Sequence, residues 1–115
     1  MKLVMAIIQP SRLETVKTLL SQEGVSGVTI TDARGVGRQR GRTEIYRGHE
    51  YTVDLIPKIK VEIAVEDENV DHVIDAIVKG ARSGPEGKIG DGKIFVMPIE
   101  EAVRIRTGEV GSAAL

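Results

Sequence analysis

This chain contains no cysteine and no tryptophan, and aromatic residues make up only 3% of its 115 positions. Without cysteine, neither disulfides nor thiolate chemistry can contribute to fold or function. So few aromatic rings exclude a base-stacking platform for single-stranded nucleic acid. The formal net charge of −1 also lacks the basic excess that is usual in a domain held by phosphate contacts. The composition therefore argues against nucleic acid as a partner.

Histidine is also scarce, since His49 and His72 are the only two in the chain. Neither is spaced with carboxylates as a metal or catalytic site would require, and no Ser-His-Asp set stands out. An ATPase would need a side chain that orients the attacking water, and none is evident. The sequence therefore predicts a protein that binds ligands, has no catalytic residues and is not an enzyme.

No apolar run approaches the ~20 residues of a membrane-spanning helix. The N-terminal stretch MKLVMAIIQP lacks the length and cleavage pattern of a signal peptide. We therefore expect a cytoplasmic protein. A length of 115 residues corresponds to one domain, and we expect it to span residues 1–115.

The first part of the chain has the pattern of a strand, a helix and a second strand. Lys2–Gln9 is a continuous apolar run, which is typical of a strand buried on both faces. Ser11 and Glu14 then have the spacing of a capping box that begins a helix, and Gly24 ends that helix. Val25–Arg34 follows as a strand with alternating side chains.

A second unit repeats this order. Ile59–Glu66 alternates apolar and polar residues, as a half-buried strand does. Asp67 is placed to cap a helix whose apolar residues recur at helical spacing, and Lys93–Ile99 is the fourth strand. Two strand-helix-strand units predict an α+β fold, a ferredoxin-like βαβ-βαβ sandwich. One sheet face would carry no helix, so we expect self-association to cover it.

The stretch from Gly35 to Lys58 joins the two units and follows neither a helical nor a strand period. It begins with three closely spaced glycines, contains four arginines and holds the only tyrosines, Tyr46 and Tyr51. Loops beyond about 12–15 residues are usually functional or disordered. A disordered insertion is one interpretation, but apolar residues continue through the stretch, which a solvated linker avoids.

Two further segments suit an anion. Ser83–Lys93 is rich in glycine, so its amides could form a concave nest for phosphate, although a plain connecting loop fits equally well. Arg104 and Arg106 alternate on what reads as an extended segment, so both guanidiniums would point one way and suit a polyphosphate. A solvated edge is the alternative for these arginines. Together the clusters favour a nucleotide site at the strand ends.

Four motifs, GVGRQRGRTEIYRG, EYTVDLIPK, KIGDGKIFV and VRIRTGE, resemble in content and order the PII nitrogen-regulatory signal transduction proteins. The similarity covers nearly the whole chain. It implies a homotrimer that binds ATP or ADP between protomers and, with Mg-ATP, also 2-oxoglutarate. It further implies an exposed signalling loop at about residues 37–55, a phosphate loop at about 83–93 and a C-terminal segment at about 100–115. In such a trimer we expect the sheet faces of Ile59–Val65 and Val28–Ile30 to pack around the threefold axis.

The resemblance also assigns roles to single residues. Gln39 matches the glutamine that helps to hold Mg²⁺ and 2-oxoglutarate, and Lys58 matches the lysine that pairs with the distal carboxylate of 2-oxoglutarate. Tyr51 sits at the tyrosine that is uridylylated in many bacterial members. The residues matched to nucleotide binding are Thr29, Gly35, Gly37, Arg38, Glu62, Ala64, Gly90, Asp91, Gly92, Lys93, Arg104 and Arg106.

The partners implied by the resemblance are ammonium transporters, enzymes that modify glutamine synthetase, sensor kinases and N-acetylglutamate kinase. A transporter would recruit a cytoplasmic protein to the membrane. The alternative function is a nucleic-acid-binding module that uses the arginine-rich loop, and its affinity would fall steeply with salt.

The chain departs from the family pattern in two places. His49 stands where a small residue is usual, so serine phosphorylation there is impossible. Pro85, Glu86 and Gly87 are extra in the phosphate loop. Proline followed closely by glycine suits a tight bulge, so we expect the extra residues to turn into solvent and to keep the Glu86 charge away from bound phosphates.

Overall fold

The computed structural model describes residues 1–36, 43–46, 49–52 and 55–115. Its helices and strands are β1 Lys2–Ile8, α1 Leu13–Gln22, β2 Thr29–Gly35, β3 Thr43–Tyr46, β4 His49–Thr52, β5 Ile56–Val65, α2 Val70–Ala81 and β6 Gly92–Pro98. Four of the strands form an antiparallel sheet in the order β2-β5-β1-β6, and β3 pairs with β4 in a separate two-stranded sheet. The predicted α+β, ferredoxin-like fold is confirmed.

The hydrophobic core lies between the four-stranded sheet and the two helices. Because side chains alternate along a strand, each central strand contributes every second residue to this core. The two helices approach closely at Gly80, where an added Cβ would stand 2.9 Å from Val16 Cγ2 and 3.0 Å from Val16 Cα. The buried residues are Val4, Ala6, Ile8, Val16, Leu20, Ile59, Val61, Ile63, Val65, Val73, Ala76, Ile77 and Ala81.

The other face of the sheet is apolar along β1 and β6. The register pairs Leu3 with Met97 and Met5 with Phe95 on this face, and Phe95 remains 47% and Met97 36% exposed. The prediction that β1 is buried on both faces is wrong for the protomer, because Leu3 and Met5 are only partly buried. Helices cover one side of the sheet and leave these side chains on the other.

The residues predicted to face a threefold axis also need correction. The apolar residues of Ile59–Val65 are buried in the protomer's own core, facing the helices. Ile30 pairs with Val61 and therefore lies on the same side of the sheet, and Val28 packs against the core. A surface for self-association through the sheet would instead use the opposite face, which carries Met5 and Phe95.

The predicted capping box does not form. Pro10–Arg12 makes a short 3₁₀ turn, and α1 begins at Leu13 with no side-chain cap. Glu14 Oε1 instead accepts a hydrogen bond from Lys17 Nζ at 3.3 Å. Proline is favoured at the first position of a helical turn, so Ser11 lies inside this turn and not in front of a helix.

Asp67 likewise does not cap α2. It opens the 3₁₀ turn Asp67–Asn69, and its Oδ1 accepts a hydrogen bond from the Met1 amino group at 3.0 Å. That hydrogen bond and the positive charge of the amino group lower the pKa of Asp67. The carboxylate is therefore engaged by an ion pair and not by the amides of the helix.

The strand boundaries around the long connection also differ from prediction. β2 begins at Thr29 and not at Val25, and β5 begins at Ile56 and not at Ile59. The connection contains the antiparallel pair β3–β4, so the prediction that no strand pattern runs through it is wrong there. Residues 37–42, 47–48 and 53–54 lie outside the described residues. No helix in the described ranges is long and apolar enough to cross a bilayer.

Candidate functional site

The glycine-rich loop between α2 and β6 has a backbone that only glycine adopts readily. Gly84, Gly87, Gly90 and Gly92 all have positive φ, with values of 73°, 74°, 100° and 112°. A Cβ at Gly92 would overlap the carbonyl oxygen of Ile7, because β6 starts where the loop meets β1. The backbone conformation therefore requires glycine at these positions of the predicted anion nest.

A groove of about 620 Å³ opens between this loop, the end of β2 and the start of β5. It brings together Gly35, Lys58 and the four residues Gly90–Lys93, all of which were predicted to contact ligand. Its apolar lining, which sequence reasoning missed, consists of Ile7, Val36, Ile56, Ile89 and Phe95. Such a mixture of apolar walls and a few polar groups is typical of a small-molecule site.

Lys58 and the glycine-rich loop are in direct contact within this groove. Lys58 Nζ donates a hydrogen bond to the Gly90 carbonyl oxygen at 2.7 Å. Lys88 and Lys93 also line the groove. Three lysines and backbone turns with positive φ make this end of the sheet favourable to anions.

Asp91 is the only acidic residue among the described residues that line this groove, and its carboxylate is hydrogen-bonded within the loop. Its Oδ1 accepts hydrogen bonds from Ser83 Oγ at 2.6 Å and from Gln9 Nε2 at 3.1 Å, and its Oδ2 accepts from the amides of Ser83 and Lys88, each at 2.9 Å. Burial raises the pKa of Asp91, but these hydrogen bonds and the charge of Arg12 outweigh it and lower the pKa to about 2. Asp91 therefore stays ionised and is satisfied by the protein itself.

Three other predicted nucleotide residues, Thr29, Glu62 and Ala64, line a second groove of about 460 Å³ together with Leu3, Gly27 and the C-terminal Leu115. Thr29 pairs with Glu62 at the start of β2, whereas Gly35 pairs with Ile56 at its end. Six residue steps at about 3.3 Å each separate Thr29 from Gly35 by roughly 20 Å. A single protomer therefore places the two sets at opposite ends of one sheet face.

Arg104 and Arg106 are not on an extended segment, so that prediction is wrong. The chain turns back between the bridged residues Val103 and Val110, with the Gly108 amide donating to the Arg104 carbonyl at 2.7 Å. Gly108, at φ 73°, allows the reversal. The Arg104 guanidinium donates to Glu109 Oε1 at 3.1 Å and to the Leu115 carbonyl at 3.2 Å. Neither arginine lines either of the two grooves.

Ile105, at the tip of this turn, is 99% exposed. An isoleucine with almost no protein contact, held between two arginines, is a feature that the linear sequence did not indicate. Gly108 could have signalled the turn itself, because glycine is favoured where a turn needs a positive φ.

The extra residues of the glycine-rich loop lie away from Lys58. Pro85 and Glu86 are exposed, and Glu86 lines a third groove, of about 710 Å³, which runs along Ile74 and Val78 of α2. Glu86 is absent from the lining of the groove that holds Lys58. The two grooves nevertheless share Asp91, Gly92 and Lys93 in their linings, so the outward bulge stays a prediction.

The remaining predicted residues are Gly37, Arg38, Gln39 and Tyr51. Gly37, Arg38 and Gln39 lie outside the described residues. Tyr51 belongs to β4, where its backbone pairs with Glu44. Among the described residues, no group of three or more His, Asp or Glu side chains could hold a metal ion.

Comparison with known proteins agrees with the motifs and the fold. The model of the family described as "Nitrogen regulatory protein P-II" matches residues 1–109. The chain is 53% identical over 115 residues to a nitrogen regulatory protein P-II of Azospirillum brasilense. It is 55% identical to that of Rhizobium etli and 54% identical to that of Haemophilus influenzae, and each alignment covers all of both chains. The chain therefore belongs to the nitrogen regulatory protein P-II family, whose members are regulatory signal transducers and not enzymes.

Proposed function

We propose that this protein senses ATP, ADP and 2-oxoglutarate and transmits their levels to proteins of nitrogen assimilation. The observation that carries the proposal is the contact between Lys58 and the glycine-rich loop, at 2.7 Å from Lys58 Nζ to the Gly90 oxygen. An effector bound at Lys58 and a phosphate bound at Gly90–Lys93 would be immediate neighbours. Their binding would then be linked, and linkage is what a sensor of two metabolites requires.

The glycine-rich loop supplies the phosphate contacts in this proposal. The backbone of Gly90–Lys93 and the Lys93 ammonium would hold the phosphates, except for the Asp91 amide, which donates to the Lys88 carbonyl at 3.1 Å. Glycine lets the backbone approach an anion, and a lysine acts as its point charge. Arg38, at the start of the signalling loop, would add a further cation. The apolar walls of the groove would exclude water around the bound nucleotide.

One nucleotide can meet all of its predicted residues only if two protomers contribute. Thr29, Glu62 and Ala64 lie roughly 20 Å from Gly35 along the sheet. We therefore propose a homotrimer in which one protomer's loop groove faces the Thr29 end of its neighbour. Arg104 and Arg106 would reach the phosphates from that neighbouring protomer. The exposed apolar face around Met5 and Phe95 would supply the contact between protomers.

Lys58 and Gln39 would hold 2-oxoglutarate. Lys58 would pair with one carboxylate, while Gln39 and the ATP phosphates would hold Mg²⁺, to which the other end of 2-oxoglutarate binds. Mg²⁺ is commonly held by substrate phosphates and few protein ligands, which fits a site whose described part has no acidic metal cluster.

The output would be carried by the signalling loop, residues 37–55. Tyr51 is the proposed site of uridylylation where the cell contains the enzyme, and mass spectrometry of protein from nitrogen-starved cells would locate the added mass. The proposed targets are an ammonium transporter, an enzyme that modifies glutamine synthetase, a sensor kinase or N-acetylglutamate kinase. We place the protein in the cytoplasm, with recruitment to the membrane when the target is a transporter.

Calorimetry with ATP, ADP and 2-oxoglutarate, each alone and in combination with Mg²⁺, tests the proposal. We expect 2-oxoglutarate to bind only with Mg-ATP, and each ligand to tighten the other by the same factor. Lys58→Ala should abolish 2-oxoglutarate binding and leave ADP binding nearly unchanged. Lys79→Ala is the matched control, since it removes an exposed lysine of α2 that lies outside the groove lining. Equal affinity for 2-oxoglutarate with and without nucleotide would contradict the proposal.

A further inference from the structure

The carboxylate of Asp91 is the most highly connected side chain in the described hydrogen-bond network. It accepts four hydrogen bonds, from Ser83 Oγ, the Ser83 amide, the Lys88 amide and Gln9 Nε2, at 2.6 to 3.1 Å. Hydrogen bonds to an ionised acceptor are roughly twice as strong as neutral ones. Asp91 therefore links three separate parts of the chain.

These three parts are the end of α2, the residue that follows the extra Pro85–Gly87 and the end of β1. Ser83 lies two residues after α2, Lys88 follows the extra residues Pro85–Gly87, and Gln9 follows β1. The carboxylate thus closes a ring that begins at Ser83 and ends at Asp91, with the extension projecting from it. There is little spare room inside the ring, because a Cβ at Gly87 would stand 3.2 Å from Asp91 Oδ2.

The two neighbours of Asp91 in sequence make the contacts that matter for the groove. Gly90 presents its carbonyl oxygen to Lys58 Nζ, and Gly92 crosses the Ile7 carbonyl too closely to admit any side chain. Because backbone atoms on either side of a fixed side chain are constrained with it, anchoring Asp91 also fixes where Gly90 and Gly92 lie. The carboxylate controls the shape of the loop without facing its opening.

We propose that Asp91 is a positioning residue, which holds the glycine-rich loop in its anion-binding shape before a ligand arrives and does not itself bind the phosphates. This inference rests on the proposed function, and it replaces the nucleotide contact that the family resemblance assigned to Asp91. A carboxylate aimed at a polyphosphate would repel it, whereas here its oxygens are satisfied by Ser83, Lys88 and Gln9. A pre-formed loop binds more tightly, because no part of the population is in an incompetent shape.

The test compares Asp91→Asn and Ser83→Ala with two controls. Asp91→Asn replaces one carboxylate oxygen with an NH2 group, which cannot accept, so two of the four hydrogen bonds cannot form as they do in the wild type whichever way the amide turns. Ser83→Ala removes only the hydroxyl donor, and Ser83→Thr restores it. Asp75→Asn makes the same chemical change at an exposed position of α2, so it controls for the loss of one negative charge.

Two measurements are made on each full-length variant: amide hydrogen exchange of residues 88–92 without ligand, and the affinity for Mg-ATP by calorimetry. We expect faster exchange and roughly tenfold weaker binding in Asp91→Asn and Ser83→Ala, and wild-type behaviour in Ser83→Thr and Asp75→Asn. A merely structural role would raise exchange across the whole sheet and would not be rescued by threonine. If Asp91→Asn does not fold, Ser83→Ala and its rescue decide the question.

The outcomes separate this inference from the proposed function. If the wild-type protein binds Mg-ATP and both variants bind it within twofold, the positioning role of Asp91 is wrong although the nucleotide site stands. If the wild-type protein does not bind nucleotide, the proposed function fails, and a positioning role toward phosphate fails with it. Unchanged exchange at residues 88–92 in Asp91→Asn would also overturn the inference.

Discussion

The two ends of the helix-free sheet face differ in whether the glycine-rich loop of the same protomer contributes to the groove there. At one end, Lys58 Nζ donates to the Gly90 oxygen and the Asp91 carboxylate accepts from the Ser83 amide, both within a single protomer. At the other end, Thr29, Glu62 and Ala64 line a groove to which the glycine-rich loop does not contribute. The first end is organised by the chain itself, whereas in the proposed trimer the second end would meet a glycine-rich loop only from a neighbouring protomer. We infer that the first end sets anion affinity and that the second end makes binding depend on assembly.

The largest effect is expected from Gly92→Ala, which would destroy the first end. The new Cβ would overlap the Ile7 carbonyl at a positive φ, so we expect a loss of at least about 3 kcal/mol in unfolding free energy and no measurable nucleotide binding. Gly84→Ala is the control, since it also has positive φ but no atom within 4 Å of the added Cβ. It should cost only about 1–2 kcal/mol. Similar denaturation midpoints for both variants would contradict the close-approach argument.

A large effect on assembly is expected from Phe95→Asp. The ring lies opposite Met5 on the helix-free face, and a buried, unpaired carboxylate in a protomer contact is strongly unfavourable. Sedimentation should give about three times the protomer mass for the wild type and a mass near 12.5 kDa for the variant. Asp75→Lys, which changes an exposed residue of α2, should leave the mass unchanged. A wild-type protein that sediments as a monomer at micromolar concentration would refute the trimer and the shared nucleotide site together.

A smaller effect, confined to acid, is expected from the low pKa of Asp91. Because this pKa falls from 3.8 to about 2 on folding, the ionised carboxylate stabilises the folded state above pH 3.8, and that stabilisation is lost as the pH falls through about 2. The difference in unfolding free energy between the wild type and Asp91→Asn should therefore be constant above about pH 5 and shrink toward pH 2. Urea titrations at several pH values measure it. A difference that stays constant down to pH 2 would show that the carboxylate is not anchored as described.

The smallest effect is expected from deleting Pro85–Gly87. Glu86 is exposed and does not line the groove that holds Lys58, so affinities for ATP and ADP should change by no more than a few-fold. Calorimetry with both nucleotides measures this. If the deletion tightens ATP more than tenfold while ADP changes little, Glu86 reaches the phosphates and the outward bulge is wrong.

The sequence predicted the parts of the molecule that depend on short-range periodicity. The alternation of Ile59–Val65 and the helical stripe at Val73 and Ile77 gave the fold class, because burial imposes a period of 2 on strands and 3.6 on helices. The glycine-rich loop and Lys58 were predicted from the family motifs, and the structure brings them into one groove.

The parts that could not be predicted depend on contacts between distant residues or on competition between local ones. Gln9 and Asp91 are 82 positions apart, and nothing in the linear pattern indicates that they meet. Ser11 and Glu14 had the spacing of a cap, but Pro10 started a turn of its own. Arg104 and Arg106 alternate in sequence, so they looked like part of an extended segment. The turn in which they lie depends on the conformation of Gly108, which the alternation does not indicate.

The contact between Gly80 and Val16 has a consequence for how such a protein can evolve. It fixes the end of α2 against α1 only three residues before Ser83, where the loop anchored by Asp91 begins. Gly80→Ala adds a single methyl group, yet the new Cβ would stand 2.9 Å from Val16 Cγ2, so the end of α2 would have to shift and carry the start of the loop with it. Under the proposed function, ligand affinity would then change through the helix contact, at a position that a comparison of binding residues would pass over as neutral.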